Sequence, residues 1–384
     1  MLSSGSTTSP RLLVFAPSRQ RASETFIRAN LRGLADRAVV YCGDERPWRG
    51  ERLRLLYGLA VLLSKACSRL GWHRLATAVV TPVAVAICRR EAPEVVLAEF
   101  GFHAVRVMEL VPRTGLPLVV HFRGSDASSR RHYVQLRHRY RRLLALAAAI
   151  VVKSQPMKQR LLALAGPEAS RLRVLVSPSG ADPALFEGAA PAAAPPHFLS
   201  VGRFVAKKGP LQTLEAFALA ARERPRLRLV MVGDGPLLDA CRDRAVALRI
   251  ADRVDFAGVR SPQWIAAEMR TMRGFLQHSL TAPDGDQEGS PVAVMEAQLS
   301  GLPVVATRHA GIPEVVQDGL TGHLVEEGDV QAMAAGIARL ADEPEHAARL
   351  GEAGRRRVLS RFTVDHHLQD LRSLLDRVVR EGRG

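Results

Sequence analysis

A chain of 384 residues exceeds what one hydrophobic core usually organises, so two domains are expected. With 47% hydrophobic and 24% charged residues it is not a disordered chain, and its four cysteines, Cys42, Cys67, Cys88 and Cys241, are too far apart for a disulfide framework or a zinc site and suggest reduced thiols in a cytoplasmic protein. The net charge of +16 lies wholly in residues 1–190, which hold 29 Lys and Arg against 13 Asp and Glu, while residues 191–384 balance at 25 of each, so an anionic partner is expected for the first half.

From the amino end, "MLSSGSTTSPRLLVFAPS" has no basic residue ahead of its brief apolar segment and does not read as a secretory signal. Short β-branched runs then alternate with longer amphipathic ones, the pattern of parallel strands joined by crossover helices. The first half has six such runs: "RLLVFA", "RAVVYC", "EVVLAE", "LPLVVHF", "AAIVVKS" and "LRVLVS". The longest apolar run, residues 75–88, is interrupted by Pro82 and bracketed by Arg74, Arg89 and Arg90, so no membrane span is expected. The densest basic stretch, "RRHYVQLRHRYRRLL" (130–144), carries Arg130, Arg131, Arg137, Arg139, Arg141 and Arg142. It reads either as a solvated helix face or as a surface attracting nucleic acid, anionic lipid or a phosphorylated substrate.

"EGAAPAAAPP" (187–196) cannot pack as helix or sheet and is the expected linker. Six further runs follow it, "HFLSVG", "LRLVMVG", "RVDFAG", "RGFLQH", "LPVVAT" and "TGHLVEE". The expected fold class is α/β, with two Rossmann-like domains, 1–190 and 191–360, facing one another across a central cleft, and a last segment, 361–384, whose helix either crosses back to the first domain or caps the second. Ligands of doubly wound sheets sit at the carboxyl ends of the strands, which directs attention to the turns.

After "HFLSVG", the turn "GRFVAKKGP" places Gly202, Arg203 and Lys208 before a helix, where two cations suit a diphosphate. "VGDGP", with Gly233, ends another strand; neither a GxGxxG nor a Walker loop is present. In "EGSPVAVME", Gly289 and Ser290 permit close backbone approach, Pro291 is expected to open a helix whose free amides favour phosphate, and Glu288 and Glu296 flank seven residues. A carboxylate at Glu296 can accept two hydrogen bonds from the vicinal hydroxyls of a ribose, and Glu288 can reach a sugar; the plain alternative is a helix-start acid and a salt-bridge partner.

"GRFVAKKG", "VGDGP", "VDFAG" and above all residues 288–329, "EGSPVAVMEAQLSGLPVVATRHAGIPEVVQDGLTGHLVEEGD", resemble the retaining, nucleotide-sugar-dependent glycosyltransferases of the glycosyltransferase-4 type with the GT-B fold. "SETFIRANLRGL", "HFRGSD" and "SPSGADPALF" resemble first-domain elements of the exopolysaccharide and colanic-acid branch. The resemblance implies a metal-independent transfer from a UDP- or GDP-sugar to a glycan or lipid-linked acceptor, by front-face attack, with no cofactor beyond the donor substrate. It implies donor contacts for Gly202, Arg203, Lys208, Gly233, Gly258, Glu288, Gly289, Ser290, Pro291, Val292 and Glu296, and catalytic roles for His121, Arg203, Lys208 and Glu288. Arg123 and the six arginines of 130–142 are assigned to the acceptor or membrane side. "SRQRASETF" stands where many relatives have a Gly-Gly loop, "SPSGAD" replaces Pro-Asn-Gly-Val-Asp, and His278 replaces a common Pro. "DGD" (284–286), the nearest approach to a metal-binding DxD, reads as a flexible loop.

The rival reading is an anionic-surface or nucleic-acid binder with a decayed sugar-nucleotide site, and a third is an epimerase or phosphorylase on the same fold. With 5% aromatic residues the chain is poorly equipped to stack bases, so no nucleic acid is expected as partner. The expected location is the cytoplasm, with peripheral contact to an anionic inner-membrane face.

Overall fold

Each of the twelve β-branched runs forms a strand. The computed structural model describes residues 11–18, 30–45 and 52–382. The first sheet contains β1 (Leu12–Ala16), β2 (Ala38–Cys42), β3 (Val95–Glu99), β4 (Leu118–His121), β5 (Ala149–Val152) and β6 (Arg173–Val176), in the order β2-β1-β3-β4-β5-β6. The second contains β7 (His197–Val201), β8 (Arg228–Val232), β9 (Val254–Gly258), β10 (Gly274–Gln277), β11 (Val304–Thr307) and β12 (Gly322–Val325), in the order β12-β11-β10-β7-β8-β9. All pairings are parallel, so crossover helices must cover both faces, and the inner strands are apolar on both.

In β1, Leu13 and Phe15 join one core while Leu12 and Val14 join the other, as the two-residue period of a strand requires. The first core takes Tyr57 and Val61 from the helix Arg52–Arg69, and Val80, Ala84 and Ile87 from the helix His73–Glu91. The apolar run 75–88 is therefore largely interior. The opposite face of the sheet is covered by Leu371, Leu375 and Val378 of the last helix, Val364–Gly382. Arg37 of the same domain donates to Asp376 of that helix at 2.9 Å.

The chain divides into Met1–Ser177 with Leu368–Gly384, and Pro178–His367. This differs from a division at residues 190/191 and 360/361 for a physical reason. Residues 178–190 are tied into the second domain: Ala181 bridges Thr363, Phe186 is buried in a core with Leu199 and Phe275, and the Ala189 amide donates to the Ser300 carbonyl. The proline- and alanine-rich stretch lies inside that domain's boundary.

The second domain has one core on each face of its sheet. Phe198, Leu229 and Leu276 pack with Leu214 and Phe217 of the helix Pro210–Ala221, and Leu199, Phe275 and Val304 pack with Met295 and Leu299 of the helix Val292–Ser300. Strand β7 begins this sheet, yet its neighbours are β8 on one side and β10 on the other. That reversal of strand order makes the carboxyl ends of β7 and β10 a topological switch point.

Candidate functional site

The turns after β7 and β8 lie against each other through glycine. A Cβ on Gly233 (φ +141°) would lie 2.0 Å from the Gly202 carbonyl oxygen, and one on Gly235 (φ +155°) would lie 2.6 Å from that of Phe204. The Gly202 amide donates to Val232, the Phe204 amide to Asp234 and the Gly233 amide to Gly258, so these three turns form one platform at the carboxyl edge of β7, β8 and β9. A small pocket opens there, lined by Gly202, Arg203, Phe204, Lys208 and Gln277. Arg203 is exposed, and its guanidinium makes no ion pair among the described residues.

Across the switch point, Lys208 Nζ lies 2.7 Å from Glu288 Oε2, and both side chains are mostly buried. Burial alone would raise the Glu288 carboxyl, but Lys208, Lys207 and His309 hold it below the ordinary glutamate range. The loop carrying Glu288 is clamped from behind. Lys207 Nζ reaches Asp286 Oδ2 at 3.0 Å and donates to the Gln287 carbonyl at 3.2 Å, so the 284–286 stretch expected to be a flexible loop is held by an ion pair.

The Glu288 amide donates to His309 Nε2 at 3.0 Å, which places the ring proton on Nδ1, 2.5 Å from Glu327 Oε1. His309, Glu327 and Lys207 thus support the site, and the sequence reasoning did not select them. Their signal lay in the turns after β11 and β12 and in the first lysine of "AKKG". His278 also has a structural role: it is buried, its Nε2 accepts from the Gly328 amide at 2.9 Å, and burial lowers it to about 4.

Pro291 precedes the first helical residue, Val292, and no side chain caps the start of that helix. Ser290 is partly committed elsewhere, because its Oγ accepts from the Ser179 amide at 3.0 Å. Gly289 is buried beside Glu288. Glu296, on the second turn of the helix, is half-buried; burial raises its carboxyl to about 7 against the pull of Lys208. The structure therefore gathers Gly202, Arg203, Lys208, Gly233, Glu288 and Glu296 at one edge of the second sheet. Gly258 joins them through its carbonyl.

In the first domain, His121 ends β4 and is fully buried, its Nδ1 3.4 Å from Glu99 Oε2 at the end of β3. Burial, with Arg123 and Lys153 adding to it, keeps the imidazole neutral, well below its usual range. Arg123, assigned above to the acceptor or membrane side, is not a surface cation: its Nε and Nη2 donate to Glu99 Oε2 at 2.9 and 2.6 Å. The chain folds it inward because Asp126 accepts from the Arg123 and Gly124 amides and from Gly101, closing the turn after β4 over Glu99.

The other basic residues differ among themselves. Arg130, Arg131, Arg137 and Arg141 are exposed, Arg142 is exposed but paired with Glu109 at 2.6 Å, and Arg139 is half-buried and donates to Thr77 Oγ1 at 2.6 Å. Most of "SRQRASETF" and of "SETFIRANLRGL" lies outside the described residues.

Residues 184–357 match the family model for glycosyl transferases group 1. The chain is 30% identical over 293 residues to the amylovoran biosynthesis glycosyltransferase AmsK of Erwinia amylovora, covering 75% of this chain and 71% of that protein. It is 31% identical over 301 residues to the putative colanic acid biosynthesis glycosyltransferase WcaL of Escherichia coli strain K12, covering 76% and 73%. Among solved structures it resembles Anabaena Alr3699/HepE in complex with UDP, with a TM-score of 0.73 at 20% identity over 96% of this chain and all of that one, a likeness that shows the fold.

Proposed function

The chain belongs to the group 1 glycosyl transferases, and from that membership we propose that it is a retaining, metal-independent transferase moving a sugar from a UDP- or GDP-sugar to a glycan or lipid-linked acceptor in polysaccharide biosynthesis. Glycosyl transfer in polysaccharide synthesis is the coarse activity of its relatives; the donor, the stereochemistry and the acceptor are the proposal. The observation that carries it is the edge of the second sheet, where Arg203, Lys208 and the uncapped start of Val292–Ser300 converge beside two carboxylates.

In this reading Arg203 and Lys208 hold the diphosphate, and Glu296 accepts from the ribose hydroxyls. Glu288, which neutralises Lys208 without donor, turns to the sugar when phosphate takes over the lysine. The acceptor hydroxyl oxygen bonds to the anomeric carbon on the face that the diphosphate leaves. The carbon–oxygen bond to the donor breaks, its electron pair stays on the β-phosphate oxygen, and a donor phosphate oxygen takes the hydroxyl proton. His121, kept neutral, is proposed to hydrogen-bond the transferred sugar. The proposed setting is the cytoplasm, with the acceptor held at a membrane face.

Calorimetry with UDP and GDP, followed by incubation with the sugar nucleotides of whichever binds, tests this reading. Binding of one nucleotide and slow release of its free sugar, with the anomeric configuration of the donor kept, is expected. Binding of neither nucleotide would leave the rival binder with a decayed site.

A further inference from the structure

The helix Arg52–Arg69 has two unlike faces. Tyr57, Ala60, Val61, Ser64 and Cys67 recur at intervals of three and four and are buried. Leu55, Leu56, Leu59, Leu62 and Leu63 lie on the other side and are exposed, Leu62 by 66%. The short turn into the helix His73–Glu91 adds Leu70 and Trp72, the latter 58% exposed, and Leu75 follows on the first helical turn. Single exposed leucines need no explanation, whereas a continuous row of them along one helix and its turn does.

Cations rim this row. Arg69 and Arg74 are exposed at the turn. Arg52 is exposed on the first turn of the leucine-bearing helix itself. We propose that this leucine face, with Trp72 at its end, docks in the plane of an anionic lipid bilayer, its apolar side chains entering the headgroup boundary and the surrounding arginines meeting lipid phosphates. Charge decides between occupants: a second copy would set this arginine rim near its own likeness, and nucleic acid would gain nothing from leucines. A tryptophan between apolar and basic surroundings suits the membrane interface, where its ring is buried and its N–H stays wet. No helix among the described residues is long and apolar enough to cross a membrane, so contact along the surface is the geometry available to this hairpin. The docking face deepens the membrane-held acceptor of the proposed function, but it rests on exposed residues alone and stands whether or not a sugar nucleotide binds.

The full chain is floated with phosphatidylglycerol-containing vesicles and with pure phosphatidylcholine vesicles, without donor or acceptor, so failure here is separable from failure of the transferase reading. Binding to the anionic vesicles that salt weakens is expected, and Leu59→Gln/Leu62→Gln/Leu63→Gln should reduce it at least about tenfold while leaving the thermal midpoint in place, since all three side chains are exposed. Arg69→Gln/Arg74→Gln should reduce it on anionic vesicles only. In a Trp48→Phe/Trp264→Phe background, Trp72 emission should shift to the blue on docking. Leucine variants that bind as well as the parent, unchanged Trp72 emission, or a dimer dissolved by the leucine substitutions with no vesicle binding would overturn the proposal, as would retention on nucleic acid in place of vesicles.

Discussion

Lys208 Nζ and Glu288 Oε2, 2.7 Å apart, join the loops that leave two adjacent parallel strands, β7 and β10. The lysine is thereby both a ligand group and part of the fold, whereas Arg203, on the same turn, is exposed. Arg203→Ala should lower turnover with the stability kept within about 0.5 kcal/mol. Lys208→Ala should lower both, because it leaves a buried carboxylate without its nearest cation, at a cost of about 3 kcal/mol. Thermal melts beside steady-state rates separate the two, and wild-type rates in both variants at saturating donor would dissolve the diphosphate clamp.

Glu296, raised by burial to about 7, titrates in the working range. Ribose hydroxyls donate to the ionised form, so nucleotide affinity should rise about tenfold from pH 6 to pH 8 with release of a proton. Calorimetry in buffers of different ionisation enthalpy reads that proton, and Glu296→Gln should abolish both effects. Stability moves the other way: the folded carboxyl holds its proton to higher pH than the unfolded one, so its contribution is present at low pH and fades as pH rises through 7. Glu296→Gln should therefore melt higher than the parent at pH 8 and much the same at pH 4.

Gly209 has φ +55°, and a Cβ there would lie 1.9 Å from the His278 carbonyl oxygen. Gly209→Ala must push the lysine-bearing turn away from the β10 loop, and should cost about 2 kcal/mol or more together with most of the nucleotide affinity. An alanine variant with parental affinity would show that the turn's position against His278 is immaterial.

Glu99 is held far below the ordinary carboxylate range: burial opposes its charge, but the Arg123 guanidinium outweighs it. Its stabilising share is present above the normal glutamate value and is lost as pH falls. Glu99→Gln should cost about 3 kcal/mol at neutral pH and flatten the acid limb of the stability profile. His121→Ala, by contrast, should lower transfer while sparing affinity for the free nucleotide; equal loss of both would mark the ring as structural. Chemical denaturation across pH and binding at one pH answer the two questions.

The strands were legible because parallel-sheet interiors demand unbroken β-branched runs, and "LLVFA" or "PVVAT" has few alternatives. The cluster at β7 and β10 was legible because its residues lie in turns, where Gly, Lys and Glu at fixed intervals are unusual without a ligand. Pairings across long separations were not. Nothing local to "HFRGSD" shows that Arg123 turns inward to Glu99, and nothing in "TRHAG" shows that His309 carries the Glu288 amide. The domain boundary was missed for a similar reason: "EGAAPAAAPP" has the composition of a linker, but the preceding residues are claimed by Thr363 and by the core around Phe186.

The last helix completes the first domain only after the second has been threaded between its parts. On a ribosome, residues 178–367 take about 10–40 s to synthesise, and throughout that interval the face of the first sheet formed by Leu12, Val14, Leu97 and Val119 has no Leu371 or Leu375 to cover it. The nascent chain therefore carries a sticky half-finished sheet for about half of its synthesis. Native burial of that face waits until the last helix has been made.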